Sequence, residues 1–311
     1  MGGVPSNYES RVGDTRLFCY TEVAIIEEQS DQGGLQMKDL FSLEGKIALV
    51  TGGSAGIGAM IAEGFVHFGA KVYLVARHEE VLQKKQAELL NIGPCEYIAA
   101  DVSSAAGIKE LVKRYGEREQ SLDILVNNAG ISDGRKAIEE VTEERWDAVI
   151  DLNLKSIFFM IQAFLPFLRV GASPETPRSV INIASIDGCG KLNPFYNYAY
   201  GASKAGLIQL GRHLGDSLAW EGIHINTISP GDFPTDLNTT ARDHTTAMKK
   251  VIPAKRIGEK DNIAGAAIFL ASRAGNFNVG ANLVVDGGES VRGIQRDFYA
   301  KIWPELVRLD R

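Results

Sequence analysis

Ala48-Leu49-Val50-Thr51-Gly52-Gly53-Ser54-Ala55-Gly56-Ile57-Gly58 is the stretch on which the reading of this chain turns. Its first residues have strand character, the glycines that follow make a tight turn, and a helix is expected from near Ile57. Strand, glycine turn and helix together bind phosphate: glycine lets the backbone approach a pyrophosphate, and the helix N-terminus offers free N–H groups and a positive dipole end. The same pattern also serves as a plain strand-to-helix turn, so its meaning rests on what surrounds it.

Outward from this turn, short apolar runs alternate with amphipathic stretches. They lie at Ile47–Thr51, Val72–Ala76, residues 97–100, Ile124–Asn127, residues 180–184, residues 225–228 and residues 283–285. Strands buried on both faces and separated by helices make a parallel sheet, so the fold class expected is α/β, doubly wound, with seven parallel strands flanked by helices. One domain is expected over residues 43–288, with an N-terminal extension at 1–42 and a C-terminal tail at 289–311.

Composition narrows the function classes. The 33 basic and 39 acidic residues give a net charge of −6 with no concentrated basic patch, which argues against nucleic acid as a partner. Cys19, Cys95 and Cys189 are widely spaced, as suits plain thiols in a reducing compartment, and the five histidines show no metal-ligand spacing. The most apolar window, Ile157 to Leu168, is short for a membrane span, and the N-terminus lacks the order of a secretory signal, so a cytoplasmic protein is expected. Met1-Gly2-Gly3-Val4-Pro5-Ser6 fits only the loose myristoylation pattern.

The spacing Thr-Gly-x-x-x-Gly-x-Gly after the first strand resembles the short-chain dehydrogenase/reductase family, in its shorter branch, and further matches follow in order. Asp101-Val102 resembles its adenine-contacting pair, and Asn127-Asn128-Ala129-Gly130 its motif at the end of the fourth strand. Asn153, Ser185, Tyr200 and Lys204 resemble its catalytic tetrad, and Pro230-Gly231 with Thr235 its nicotinamide-side motif. The resemblance covers Leu43 to Gly288 and implies a Rossmann-type domain. It also implies a cofactor site drawing on Gly52, Ser54, Gly56, Ile57, Gly58, Asp101, Val102, Asn128, Ala129, Gly130, Tyr200, Lys204, Pro230, Gly231 and Thr235. Within the family, the turn, the insertion at Gly171 to Pro177 and the ending at Gly288 look most like 3-oxoacyl-thioester reductases of the rhamnolipid-associated type. A secondary-metabolite ketone, a sterol or a polyol remains an alternative substrate, and a non-catalytic NADP-binding scaffold an alternative role.

Cofactor choice turns on the end of the second strand, where an acidic residue would accept the ribose 2′-hydroxyl and repel a 2′-phosphate. Ala76 stands there, followed by Arg77, whose guanidinium suits a dianionic phosphate, so NADP(H) is expected over NAD(H). Tyr200 and Lys204, four apart at the start of a helix, project from one face, and a neighbouring ammonium together with the nicotinamide charge is expected to favour phenolate. A carbonyl or alcohol substrate is the small-molecule partner this chemistry needs.

Two segments are expected to shape the substrate pocket. The loop from Asp187 to Tyr196 offers Phe195 and Tyr196 as apolar surface, and Asp232 to Ile257 reads as a lid. Between Val149 and Leu168, apolar residues occupy most of the helical circumference, so that helix is either sandwiched within its own domain or packed against another copy, as in a homotetramer.

Overall fold

The computed structural model describes residues 37–134, 136–190 and 196–291. Cys19, Phe195, the Met1–Ser6 motif and most of both expected terminal segments lie outside the described residues. The chain divides into two units, Met1–Asp39 and Leu40–Arg311, and of the first only the single turn Met37–Asp39 is described.

In the second unit, seven parallel strands form one sheet. They are β1 (Ile47–Thr51), β2 (Lys71–Ala76), β3 (Cys95–Ala99), β4 (Ile124–Asn127), β5 (Arg178–Ile183), β6 (Ile223–Pro230) and β7 (Asn282–Val285). The order across the sheet is β3-β2-β1-β4-β5-β6-β7. Every strand was legible as an apolar run, because strands covered on both faces need apolar residues at consecutive positions. Bounds moved by a few residues, most at β6, whose polar His224, Asn226 and Ser229 still pair in the ladder.

The period of two within strands sorts the core into two layers. Ala48, Val50, Val72 and Leu74 face α1 (Gly56–His67), α2 (Glu79–Leu89) and a C-terminal helix at Lys260–Ala271, whereas Leu49, Tyr73, Leu125 and Val180 face the opposite layer. That second layer contains α3 (Ala105–Gly116), α4 (Glu143–Ile150), α5 (Ser156–Leu168) and α6 (Tyr198–Ala219). Two short helices, α7 (Thr239–Asp243) and α8 (Thr245–Val251), follow β6, and the C-terminal helix Lys260–Ala271 is α9. Because the order reverses between β1 and β4, their C-terminal ends open a crevice in which open α/β sheets bind ligands.

Where one helix was expected over Val149–Leu168, the structure has α4 and α5 joined by a π-helical turn at Asp151–Lys155. The joined helix Glu143–Leu168 is, by length and composition, long and apolar enough to cross a membrane, beyond the short window seen in the sequence. In the fold it covers the sheet: Ile157, Met160, Ile161, Phe164 and Leu168 are buried, while Phe158 and Phe159 meet edge to face on its outer side, 37% and 42% exposed.

Candidate active site

The glycine turn is built by close approach. Gly52 and Gly56 have φ of +65° and +54°, values glycine adopts without strain. At Gly58 a Cβ would lie 2.3 Å from the Gly52 carbonyl oxygen and 2.4 Å from Asn128 Nδ2, so only glycine lets α1 start this close to both turns. Thr51 latches the turns after β1 and β4 together: its hydroxyl accepts from the N–H groups of Asn128 at 2.9 Å and Ala129 at 3.1 Å and donates to the Val126 carbonyl at 3.2 Å. No side chain caps α1, so its first-turn N–H groups face the crevice as an anion site requires.

Farther along the sheet edge, Arg77 is exposed just past the end of β2. The Asp101 carboxylate accepts from Ser103 N–H at 3.0 Å, and the Ser103 bonds, with the Arg77 charge adding, hold it below its usual range. Val102 is buried.

Asn153, Ser185, Tyr200 and Lys204 converge from three elements, the last two both from α6. The π turn presents Asn153, which is fully buried; its Oδ1 accepts from Ile131 N–H at 2.9 Å, and its Nδ2 donates to the Ile131 carbonyl at 2.8 Å and to Ser203 Oγ at 3.2 Å. A widened helical turn at such a place is a common functional device. Ser185 follows β5 and caps the turn Ile186–Gly188, its hydroxyl accepting from Asp187 N–H and lying within hydrogen-bonding reach of the Tyr200 phenol. Lys204 Nζ donates to the Ile183 carbonyl at 2.8 Å and stands over the Tyr200 ring, 5.5 Å from its centroid. A Cβ on Gly130 would come 3.1 Å from Asn153 Oδ1 and 3.6 Å from Lys204 Nζ, so glycine leaves that corner open.

Without a nicotinamide charge, the protein's own groups pull against phenolate. Protein groups alone push the Tyr200 phenol up to about 12, because burial and the Asp187 charge outweigh the Ser185 bond that pulls it down. Burial likewise brings Lys204 down to about 8. Desolvation disfavours the charged form of each group.

One cavity of about 1090 Å³ joins these parts. Gly52, Gly56, Ile57, Asn128, Ala129 and Gly130 line it together with Ser185, Tyr200, Lys204, Pro230, Gly231 and Thr235. Ser54, Gly58, Arg77, Asp101, Val102 and Asn153 lie off its wall. The lid contributes Leu237, Met248 and Val251, and the wall runs past residue 288 to Glu289 and Ser290. Sequence reasoning missed Thr51 and Asp133; the buried Asp133 carboxylate accepts from the N–H groups of Ala199 at 3.1 Å and Tyr200 at 3.3 Å. A Thr before a glycine turn was a visible signal, whereas nothing local marks Asp133.

Known proteins share this arrangement. The family model described as enoyl-(acyl carrier protein) reductase matches residues 52–290. The rhamnolipids biosynthesis 3-oxoacyl-(acyl-carrier-protein) reductase of Pseudomonas aeruginosa is 44% identical over 255 residues, 81% of this chain and 99% of that protein. Among solved structures, the Pseudomonas aeruginosa RhlG/NADP active-site complex matches at 43% identity with a TM-score of 0.78, covering 81% of this chain and 98% of the other. A Burkholderia cenocepacia gluconate 5-dehydrogenase in complex with NADP and tartrate matches at 31% identity and a TM-score of 0.75, covering 82% of this chain and 99% of the other. With the family model spanning most of the chain, this protein belongs to the short-chain dehydrogenase/reductase family.

Proposed function

We propose that this chain is an NADPH-dependent carbonyl reductase of a 3-oxoacyl thioester, with Tyr200 as its general acid. The observation that carries the reading is one cavity lined both by the glycine turn and by Ser185, Tyr200 and Lys204. The residues fit a dinucleotide: glycines without room for a Cβ at Gly52 and Gly58, an uncapped α1 N-terminus, and Ala76 in place of a ribose-binding acid with Arg77 beside it. The relatives named above for 3-oxoacyl reduction and for bound NADP support both halves of the reading.

NADPH bound there supplies a hydride to the carbonyl carbon. The Ser185 and Tyr200 hydroxyls hold the carbonyl oxygen, and Tyr200 gives it a proton as negative charge develops. Lys204 stands over the ring and favours the phenolate left behind, and it holds the nicotinamide ribose, as the family resemblance implies. Asn153 fixes Ile131 and thereby the backbone behind Gly130. Arg77 faces the 2′-phosphate with Ser54 as an additional ligand, and Asp101 and Val102 complete the adenine side.

The domain at residues 43–288 carries this activity in the cytoplasm as a homotetramer. The exposed Phe158 and Phe159 on α5 support a second copy as their cover. The test is NADPH oxidation by purified protein with a panel of 3-oxoacyl thioesters and other ketones. Tyr200→Phe is expected to lower kcat by roughly 10²- to 10⁴-fold with NADPH still bound. NADPH binding without turnover of any carbonyl overturns the reading in favour of a scaffold.

A further inference from the structure

We propose that Asp133 is a positioning residue, whose carboxylate ties the loop after β4 to the first turn of α6 and so fixes Tyr200 against the cofactor side of the cavity. The proposal rests on the reductase reading above. α6 begins without a cap of its own, since the Asn197 side chain makes no capping bond. The cap comes instead from 66 residues earlier, where Asp133 Oδ2 accepts from Ala199 N–H at 3.1 Å and Oδ1 from Tyr200 N–H at 3.3 Å.

A carboxylate only 5% exposed is costly unless charge-assisted bonds compensate it. Two N–H donors at the positive end of a 22-residue helix do so. The neighbours of Asp133, Ser132 and Gly134, both line the cavity, and two residues back Ile131 is held at both backbone groups by Asn153. The strip 130–134 is therefore pinned twice, once to the π turn and once to the helix turn that carries Tyr200. A local cap would stabilise α6 equally well; a remote one also sets where the phenol stands relative to that strip.

The experiment compares Asp133→Ala and Asp133→Asn with wild type in NADPH-dependent reduction of a 3-oxoacyl thioester, alongside NADPH affinity by fluorescence and melting temperature. Thr142→Ala, which removes the α4 cap made to Arg145 N–H, is the control for losing a helix cap elsewhere. The expected result is a kcat lowered by about 10- to 100-fold in Asp133→Ala and less in Asp133→Asn, as misplacing a reacting group by an ångström would do. NADPH affinity should stay within about twofold of wild type, the ordinary scatter of a change that leaves binding intact, and Thr142→Ala should lower only the melting temperature. Unchanged kcat in both Asp133 variants, or a loss that follows NADPH affinity, overturns the proposal while leaving the reductase reading intact. Absence of turnover in wild type overturns both.

Discussion

Lys204 Nζ stands over the ring of Tyr200 at 5.5 Å from its centroid and spends its hydrogen bond at 2.8 Å on the Ile183 carbonyl. The ammonium is held by the end of β5, and the phenol is left to Ser185. Protein groups alone put the two titrations at about 12 for Tyr200 and about 8 for Lys204. Ketone reduction needs the neutral phenol, which persists up to about pH 12, so the reduction rate should be level at lower pH and fall as Lys204 loses its proton near pH 8. Alcohol oxidation needs the phenolate and should rise with pH. Bound NADP⁺ adds positive charge beside the phenol and should move that rise to lower pH. The measurement is the pH profile of kcat in both directions; a reduction rate that climbs through pH 8 would show the sign to be wrong.

Arg77 makes the cofactor preference testable without touching the chemistry. It is exposed past β2, near enough to Asp101 to help lower that carboxyl. Arg77→Ala should weaken NADPH by about 10- to 100-fold, the worth of a charge-assisted bond, and leave NADH unchanged. Adding Ala76→Asp should turn the preference toward NADH, because a carboxylate there accepts the 2′-hydroxyl and repels the phosphate. Titrating both dinucleotides against the variants checks this, and equal losses for both would remove Arg77 from the phosphate.

What the sequence revealed and what it hid divide along local and non-local lines. Strands, the glycine turn and the Tyr200–Lys204 spacing were legible because each is written in consecutive residues with a period of two or four. The helix around Ala247 to Val251 was legible after a Thr- and Asp-rich stretch, and it stands as α8. The π turn that sets Asn153 was not, since Asp151–Lys155 contains no glycine or proline and reads as ordinary helix. Nor was the Asp133 cap, whose acceptor and donors lie 66 and 67 residues apart and meet only in the fold. Spacing likewise shows the lysine beside the phenol but not the desolvation around it, which pushes the phenol up.

Two glycines on helices should answer oppositely to alanine. At Gly58 a Cβ would strike the Gly52 carbonyl oxygen at 2.3 Å, and main chain cannot swing away as a side chain can. Gly58→Ala should therefore lose NADPH binding and melt several degrees lower. Gly265, exposed inside α9, has nothing within 4 Å of its would-be Cβ. Gly265→Ala should raise stability by about 0.5–1 kcal/mol, from reduced freedom of the unfolded chain. Melting curves with and without NADPH separate the two, and a tolerant Gly58→Ala would mean that the turn is looser than its contacts imply.

Asn153 works through the backbone of Ile131, and its substitutions discriminate that role from a purely local one. Asn153→Ala leaves both the N–H and the carbonyl of Ile131 without their partner, in a corner where Asn153 itself is fully buried. Each buried group so orphaned costs about 1–3 kcal/mol, so the loss of stability should exceed that of a single cap. Asn153→Asp keeps an acceptor for the Ile131 N–H but sets a carboxylate against the Ile131 carbonyl, and should be worse at the carbonyl and neutral at the N–H. Because Gly130 shares the corner with Asn153 and Lys204, the displaced strip should also lower kcat in both variants. Denaturant unfolding and steady-state rates measured together decide it: stability lost with kcat retained would make the π turn a device of the fold alone, with no bearing on the phenol that Lys204 covers.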